Sequence, residues 1–271
     1  MHVIGFGGAG CNIARSFLEY PQYEVHFIDR GEEYDLPAAN TIEEAERTAP
    51  VFKELIDKID DTVLFICSGS GVTSGALLAT LESIKHTRIS ILYIKPDTAF
   101  LNSAAEQRER LVYNVLQQYA HSGALERIYV VSNPDMANIL GELSIFEYYD
   151  KINSLIASTV HMINYLNNVD PIMSNISTPA EINRISTIGF YNSETDEEKY
   201  FFDLKNIREK NFYYTFSERV LTEEKNLLNK IATEIKNAGQ DDLTTVSYSI
   251  TSMEYENSYV YLVAHTNFIQ E

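Results

Sequence analysis

Two glycine-rich turns, each directly after a short apolar segment, constrain this chain more than any other feature. The first turn is GFGGAG at residues 5–10, and the second is GSGVTSG at residues 69–75. A backbone without Cβ atoms approaches an anion closely and can direct its N–H groups toward it. A helix that begins at such a turn adds unpaired N–H donors and the positive end of its dipole. Two such turns on neighbouring strands would hold a polyphosphate from both sides.

Strand and helix signals alternate through the first half of the chain. Short apolar segments predict strands at residues 2–6, 24–29, 62–67, 89–94 and 127–131. Helical spacing of apolar residues predicts helices at residues 12–20, 49 or 50 to 59, 74–84 and 103–119. This alternation predicts an α/β fold with a mostly parallel sheet and helices on both faces. Ligands of such sheets bind at the carboxyl ends of the strands, where both glycine turns lie.

The segment 152–168 has helical periodicity but contains no Asp, Glu, Lys or Arg. A helix on a solvated surface normally carries charge on its outer face. The segment is therefore either a helix covered on both sides, as one wedged between two domains would be, or an ordinary core helix with a polar strip of Asn and Ser.

Beyond residue 170 the pattern indicates a smaller α+β domain. We predict strands at 185–191 and 211–216, a helix at 222–238 capped by Gly239, and a hairpin formed by the alternating residues 246–250 and the strand 259–265. The expected organisation is a nucleotide-binding domain at 1–151, a connecting helix at 152–168 and a C-terminal domain at 169–271.

Charge and cysteine content narrow the classes of partner. The formal net charge is −18, from 21 basic and 39 acidic residues, so we expect neither direct nucleic-acid binding nor a membrane surface as partner. No apolar run reaches the ~20 residues of a membrane span. Cys11 and Cys67 lie beside the two turns. We expect them to be reduced and packed, as in a cytoplasmic protein, with a disulfide between them as the alternative.

The first turn alone permits an NAD-dependent oxidoreductase. Gly5, Gly7 and Gly10 form G-x-G-x-x-G, and Asp29 follows about 20 residues later, where a dinucleotide site places a ribose-binding acid. Against this interpretation, the second turn is richer in glycine than a nicotinamide site requires. No Lys, His or Tyr stands out as an acid or base for hydride transfer.

The order of these features resembles the tubulin/FtsZ superfamily of GTP-binding filament proteins. Residues 3–12 are similar to its first phosphate loop, and residues 69–75 to its G-G-G-T-G-T-G signature with fewer glycines. The uncharged helix resembles the central helix, and Asn168-Val169-Asp170 the start of the following loop. The resemblance covers nearly the whole chain and implies a Rossmann-like GTP-binding domain, a long central helix and a smaller α+β domain. Compact size and divergent motifs favour a phage- or plasmid-type member.

The resemblance implies a site for GTP or GDP, with Mg²⁺. In the first turn the residues that would offer backbone N–H groups to the phosphates, or open the helix, are Gly7, Gly8, Ala9, Gly10, Cys11 and Asn12. In the second turn the residues that would wrap the terminal phosphates are Gly69, Gly71, Val72, Thr73 and Ser74. The last two would add hydroxyl groups that help to hold Mg²⁺.

The resemblance also implies contacts to the base and ribose. Tyr149 would stack on guanine, and the amide of Asn153 suits the mixed donor and acceptor edge of guanine. The alternative is a core tyrosine and a polar residue at a helix start.

Three further residues, and a second role for Asn12, complete the expected nucleotide contacts. Asn12 and Asp29 could touch base and ribose. Glu106 and Arg110 would contact ribose and phosphate, or else form a solvated i,i+4 pair with each other.

In this family an N-x-D-x-x-D/E loop completes the GTP site of the next subunit, so the resemblance implies head-to-tail self-assembly into filaments and possible GTPase activity. Asn168 and Asp170 match this loop as catalytic residues, but Met173 replaces the second acid. A shifted alignment would instead pair Asn167 with Asp170. Hydrolysis is then slow or depends on Asp170 alone. Two alternatives stay open: Asp170 is only the cap of a turn before Pro171, or the chain is a relative that binds nucleotide without polymerising.

Overall fold

The computed structural model describes residues 1–239 and 243–271, which separate into two compact units, Met1–Ala157 (unit 1) and Ser158–Glu271 (unit 2). No helix within these two described stretches is both long enough and apolar enough to cross a membrane.

Unit 1 is built on parallel strands. They are β1 (His2–Phe6), β2 (Glu24–Asp29), β3 (Tyr34–Asp35), β4 (Thr62–Cys67), β5 (Arg88–Lys95) and β6 (Arg127–Ser132). They pair in the order β3-β2-β1-β4-β5-β6, and every pair is parallel. β1 and β4 are almost entirely buried, as expected for central strands covered on both faces. The strand order reverses between these two strands, which makes their carboxyl ends the favoured place for a ligand.

The helices of unit 1 follow the predicted alternation with shifted bounds. They are α1 (Gly7–Arg15), α2 (Ile42–Arg47), α3 (Lys53–Lys58), α4 (Leu77–Ser83), α5 (Ser103–His121), α6 (Asn133–Leu140) and α7 (Tyr148–Leu166), the last of which crosses into unit 2. The predictions at residues 2–6, 24–29 and 62–67 are confirmed as β1, β2 and β4. The short elements β3, α2 and α6 were not predicted.

Three helix predictions were wrong in their bounds. The helix expected at 12–20 begins at Gly7 and ends at Arg15, because glycines carry no side chains to reveal helical periodicity. The helix expected from 49 or 50 to 59 is limited to α3. The helix expected at 74–84 starts as a 3₁₀ turn, Val72–Ala76, before α4.

The helix α7 is longer at its start than the uncharged segment predicts. It begins at Tyr148, so Asp150 and Lys151 lie in its first turn and the uncharged stretch follows. It ends at Leu166, two residues before the predicted end. The buried residues recur at helical spacing: Ile152, Ile156, Thr159, Ile163 and Leu166.

Unit 2 has a mixed sheet and, besides the end of α7, two helices among its described residues. Its strands are β7 (Met173–Ser174), β8 (Ile185–Asn192), β9 (Glu197–Tyr200), β10 (Glu209–Ser217), β11 (Thr245–Met253) and β12 (Tyr259–Thr266). The order is β9-β8-β12-β10-β11-β7, with β10 and β11 parallel and the other pairs antiparallel. The helices are α8 (Glu218–Glu223) and α9 (Leu227–Ala238). This arrangement is the expected α+β type.

The predicted hairpin between 246–250 and 259–265 is wrong. β10 lies between β11 and β12, so Tyr214 is paired with Ile250 on one side and with Val260 on the other. Phe212 and Tyr214 are fully buried, and a central position gives this aromatic strand a neighbour on each side. The connection after Met253 therefore passes the end of β10 instead of forming a tight turn.

The single helix predicted at 222–238 is also wrong. It is divided into α8 and α9, and the intervening Glu224 has ψ of 87°, outside the helical region. Gly239 does follow α9, and its N–H donates to the carbonyl of Ile235. Its φ of −101° means that it is not the left-handed cap that glycine usually provides.

Candidate functional site

The two glycine turns meet at the carboxyl ends of adjacent strands. β1 and β4 are paired in register, with Gly5 opposite Ile66. The hydroxyl oxygen of Thr73, in the second turn, lies 3.3 Å from the point that a Cβ on Gly7 would occupy. The structure therefore brings the two turns together at one edge of the sheet, as the sequence predicts.

The first turn depends on backbone contacts that no side chain would permit. A Cβ on Gly10 would lie 2.1 Å from the carbonyl oxygen of Ile66, and a Cβ on Gly5 would lie 2.8 Å from that of Gly10. Gly7 has φ of +67°, a conformation that residues with side chains rarely adopt. These glycines let α1 begin immediately at the end of β1 and pack against β4.

The start of α1 is open to an anion. Phe6, at the N-cap position, provides no side-chain hydrogen bond to the first-turn N–H groups. Gly8, Ala9 and Asn12 are exposed, whereas Gly10 and Cys11 are buried. Uncapped N–H groups and the helix dipole together attract a negative group at such a position.

Cys11 secures α1 and is not a reactive group. Its thiol donates to the carbonyl of Gly5 at 3.3 Å and contacts that of Ile28 at 3.8 Å. Burial, with the nearby carboxylates of Asp29 and Glu32, raises the pKa of Cys11 to about 12. Burial also raises the pKa of Cys67. Both cysteines are buried and unpaired in this structure, in agreement with the packed state that the sequence predicts.

The second turn is closed by its own serine. The Ser74 hydroxyl contacts the carbonyl of Gly69 at 3.1 Å and that of Gly71 at 2.7 Å, and Ser74 is buried. This hydroxyl therefore lies inside the turn, engaged with two of its backbone carbonyls. Thr73 is half-buried, and it places its hydroxyl beside both Gly7 and Gly71.

Helix α5 supports the second turn from behind. A Cβ on Gly69 would lie 2.5 Å from the Tyr93 hydroxyl and 3.1 Å from the Cα of Glu109, so α5 and β5 leave room only for glycine. Arg108 donates from its Nε to the carbonyl of Ser70 at 3.0 Å. Arg108 was not among the predicted site residues, because a charged residue on a helix is usually solvated and only the packing of α5 brings this one to Ser70.

Glu106 and Arg110 are joined to each other. Arg110 donates to Glu106 at 3.4 Å across one helical turn, and 73% of the Arg110 side chain is exposed. Of the two interpretations of this pair, the structure supports the solvated i,i+4 pair.

Tyr93 and Glu109 form a buried polar pair next to Gly69 of the second turn. Tyr93 donates to the carboxyl group of Glu109 at 3.3 Å, and both residues are buried. Burial raises the pKa of Glu109, and the neighbouring Lys95 ammonium partly opposes this shift. Lys95 itself lies 4.1 Å above the ring of Tyr113.

Asp29 lies beside the first turn, at the end of β2. Its Oδ2 is 3.8 Å from the point that a Cβ on Gly8 would occupy. The next residue, Arg30, lines a cavity of about 220 Å³ together with Leu36, Ala45, Val72 and Thr73. Arg30, like Arg108, was not among the predicted site residues, and it adds positive charge beside the second turn.

Tyr149 and Asn153 lie one turn apart at the start of α7. Tyr149 is 57% exposed and makes an edge-to-face contact with Tyr148, with ring centroids 5.0 Å apart. It is therefore not a core tyrosine. Burial, and to a lesser extent the carboxylate of Asp97, raises the pKa of Tyr148. Because Asp97 follows β5, the start of α7 lies near the same carboxyl edge as the glycine turns.

The loop after α7, in unit 2, is anchored at both ends. The Asn168 amide donates to the carbonyl of Asn164 at 2.7 Å, and the Asn167 side chain accepts from the Tyr213 hydroxyl at 2.9 Å. At the other end, Met173, which belongs to β7, is paired with Ile250 of β11. Asp170 lies exposed in the middle of this loop.

Comparison with solved structures identifies the fold. FtsZ from M. jannaschii, solved as an empty dimer, aligns with a TM-score of 0.69 and 15% identity over 98% of this chain and 87% of FtsZ. A GTPγS-bound protofilament of CetZ2 from Haloferax volcanii gives 0.75 and 10%, over 97% and 92%. A GTPγS-form protofilament of TubZ from Bacillus thuringiensis serovar israelensis gives 0.72 and 15%, over 97% and 86%. The chain has the tubulin/FtsZ fold, as its motifs predict.

No protein-family model and no curated protein sequence matches the chain. The likeness thus lies in the three-dimensional arrangement, at sequence identities of 10% to 15% in these three comparisons.

Proposed function

We propose that this chain binds GTP at the two convergent glycine turns and assembles head-to-tail into filaments. In such a filament the Asp170 loop of one subunit completes the phosphate site of the next. The observation that carries the proposal is the meeting of the turns, where the Thr73 hydroxyl lies 3.3 Å from the Cβ position of Gly7. The free, buried cysteines fit a reducing compartment such as the cytoplasm.

Backbone groups explain how a chain of net charge −18 would bind a polyphosphate. The open N–H groups at the start of α1 form one side of the cradle, and the turn around Thr73 forms the other. Arg30 supplies a positive charge at the adjoining cavity. A bound Mg²⁺ would neutralise phosphate charge, and the Thr73 hydroxyl is the side-chain oxygen best placed to help hold it.

The base and ribose would be bound by side chains outside the turns. Asp29 lies next to Gly8, where a carboxylate can accept from ribose hydroxyls. The exposed ring of Tyr149 is available to stack on a purine. Asn153, one turn later, offers both a donor and an acceptor. The choice of guanine rests on Asn153 and on the GTPγS in the CetZ2 and TubZ structures.

Exposed apolar side chains support self-association. Ile172 and Met173, which follow Asp170, are 62% and 41% exposed. In unit 1, Phe100 follows β5, at the carboxyl edge of the sheet, and is 77% exposed. Single exposed apolar residues are ordinary, but these lie beside the groups that a head-to-tail contact would cover.

Hydrolysis would be slow in such a filament. Phosphoryl transfer depends on positioning the attacking water and stabilising charge, and a carboxylate is suited to orienting that water. Asp170 is exposed on an anchored loop and can point toward a neighbouring molecule. Met173 has no acidic group and is engaged in β7, so it offers no second carboxylate.

Nucleotide identity is the first test. The nucleotide released from denatured protein is identified by chromatography, and binding of GTPγS, ATPγS and NAD⁺ to emptied protein is then measured at equilibrium. We expect GTPγS to bind most tightly. Binding of NAD⁺ without binding of guanine nucleotide would replace the proposal with the oxidoreductase alternative.

Assembly is the second test. Sedimentation and electron microscopy with GTP are compared for the natural chain, Asp170→Ala and the matched control Glu181→Ala, which removes an exposed acid elsewhere in unit 2. We expect filaments in all three, with slower phosphate release and longer persistence for Asp170→Ala alone. A natural chain that stays monomeric with every nucleotide at high concentration would favour the non-polymerising alternative.

A further inference from the structure

A cluster of two histidines and one glutamate lies at the amino ends of β1 and β2, the opposite end of these strands from the glycine turns. His2 is opposite Glu24 in the parallel register, and His26 lies two residues further along β2. Side chains two residues apart on a strand share a face, so the three side chains converge. The Nδ1 of His2 is 3.2 Å from the Nε2 of His26.

We propose that His2, Glu24 and His26 form a binding site for a divalent transition-metal ion, with Zn²⁺ as the best fit. Two imidazoles and one carboxylate are a ligand set that Zn²⁺ takes at sites with an open fourth position. This metal site lies at the opposite end of the strands from the glycine turns, and the nucleotide proposal does not depend on it.

The separations between the ligand atoms suit a tetrahedral ion. Ligands about 2.0–2.1 Å from Zn²⁺ lie roughly 3.3 Å from each other in that geometry. The Nδ1 of His2 is 3.6 Å from one Glu24 oxygen, and the Nε2 of His26 is 3.8 Å from the other. With the 3.2 Å between the histidines, the three atoms need only small side-chain rotations to surround one ion.

Burial and exposure also fit a metal site. His2 and His26 are 6% and 2% exposed, so their rings are held in place, whereas 58% of the Glu24 side chain is exposed and leaves a path for the ion. A hydrogen bond between the two rings, which the same geometry permits, would be replaced by two bonds to the metal.

Asp60 lies on the outer side of His2. Its Oδ1 is 3.6 Å from the Nε2 of His2, the ring nitrogen that faces away from His26, and 89% of the Asp60 side chain is exposed. This separation is too long for a direct hydrogen bond, so Asp60 contributes negative charge near the site and does not fix the ring. Glu24 and Asp60 together also attract a cation to the buried rings.

The test uses the full chain without an affinity tag, freed of metal by a chelator. Titration calorimetry with Zn²⁺ alone, and visible spectra with Co²⁺ alone, are recorded for the natural chain and for His2→Gln, His26→Gln and Glu24→Gln. His121→Gln removes an exposed histidine at the end of α5 and is the matched control. We expect one tightly bound ion per natural chain and a tetrahedral Co²⁺ spectrum.

Each ligand variant should bind Zn²⁺ at least about tenfold more weakly, and Asp60→Asn should have a smaller effect because its carboxylate is exposed and makes no hydrogen bond to His2, with His121→Gln unchanged. Circular dichroism checks that each variant is folded. If a buried-histidine variant fails to fold, Glu24→Gln still decides, because its side chain is largely exposed. Two results would overturn the proposal. One is the absence of a stoichiometric Zn²⁺ site in the natural chain. The other is a Zn²⁺ affinity in folded Glu24→Gln and Asp60→Asn equal to that of the natural chain.

Discussion

The two glycine turns reach the same edge of the sheet by different physical means. The first is formed by backbone in direct contact with backbone, since a Cβ on Gly10 would lie 2.1 Å from the Ile66 carbonyl oxygen. The second turn has one such backbone contact as well, since a Cβ on Gly75 would lie 2.1 Å from the carbonyl oxygen of Ile42. It is also held by side chains, through the Ser74 hydroxyl within the turn and Arg108 from α5. Both turns therefore need glycine at their closest backbone contacts, and the second relies in addition on a hydroxyl and a guanidinium that hold its carbonyls.

The sharpest test of this contrast is Gly10→Ala against Gly8→Ala. The added methyl group at position 10 has no space, and the atoms it meets are backbone atoms that cannot move aside. We expect a loss of about 3 kcal/mol or more in the free energy of unfolding, with loss of nucleotide binding. At Gly8 the nearest atom would be 3.8 Å away, so little change is expected.

Denaturant unfolding and nucleotide binding measure both variants. If Gly10→Ala is as stable as Gly8→Ala, the close packing of α1 against β4 is not what requires glycine in the first turn.

A smaller effect is expected from Ser74→Ala, with Thr73→Val as its partner. Removing the Ser74 hydroxyl takes away its contacts to two carbonyls in a buried position and should destabilise unit 1 by about 1–2 kcal/mol. Thr73→Val keeps the shape and removes the half-buried hydroxyl, so it should weaken Mg²⁺-dependent nucleotide binding with little change in stability. Thermal unfolding and binding titrations separate the two. If Thr73→Val lowers stability and Ser74→Ala weakens Mg²⁺-dependent binding, the structural role belongs to Thr73 and the binding role to Ser74.

The third comparison is Arg108→Gln against Arg110→Gln. Arg108 donates a charge-assisted hydrogen bond to the Ser70 carbonyl, and its loss should destabilise the second turn by about 1 kcal/mol and weaken nucleotide binding. Arg110 is mostly exposed and paired with Glu106, so its replacement should leave both properties unchanged. Equal effects of the two changes on binding would show that Arg110 contacts the nucleotide after all.

The smallest effect is expected in the pH dependence of Glu109→Gln. Burial raises the pKa of Glu109 in the folded state, so the folded chain favours the protonated acid. The stability gained from that proton is present below the ordinary pKa near 4.5 and is lost as pH rises through the raised value. The Tm of the natural chain relative to Glu109→Gln should therefore fall between acidic and neutral pH. A difference that stays constant with pH would mean that Glu109 does not titrate in this way.

The central strands of unit 1 were predictable because they are short, mostly apolar runs. β1 and β4 have the predicted bounds for this reason, and the glycines that follow them mark the turns. β2 also has the predicted bounds, although its sequence and burial alternate. The predicted start of α1 lies five residues after the observed start, because the first turn of α1 consists of glycine and alanine and shows no apolar periodicity. Short elements such as α2 carry too few residues for a period to be recognised.

Contacts between distant segments could not be predicted in the same way. Alternation along 246–250 and 259–265 predicts two strands correctly, but it does not reveal that β10 lies between them. Arg108 is one of several charged residues on α5, and only the packing of that helix directs its guanidinium to Ser70. Likewise, His2 and the Glu-x-His of β2 become a cluster only through the register of β1 and β2.

The sequence by itself determined the class of fold, the two glycine turns and the residues around them, because these depend on local backbone freedom and on the period of apolar residues. Only the tertiary structure decided that the Ser74 hydroxyl lies inside its turn, that Glu106 and Arg110 pair with each other, and that His2 meets His26. Hydrogen bonds and side-chain convergence are set by which distant segments lie side by side, and that information is spread over the whole chain.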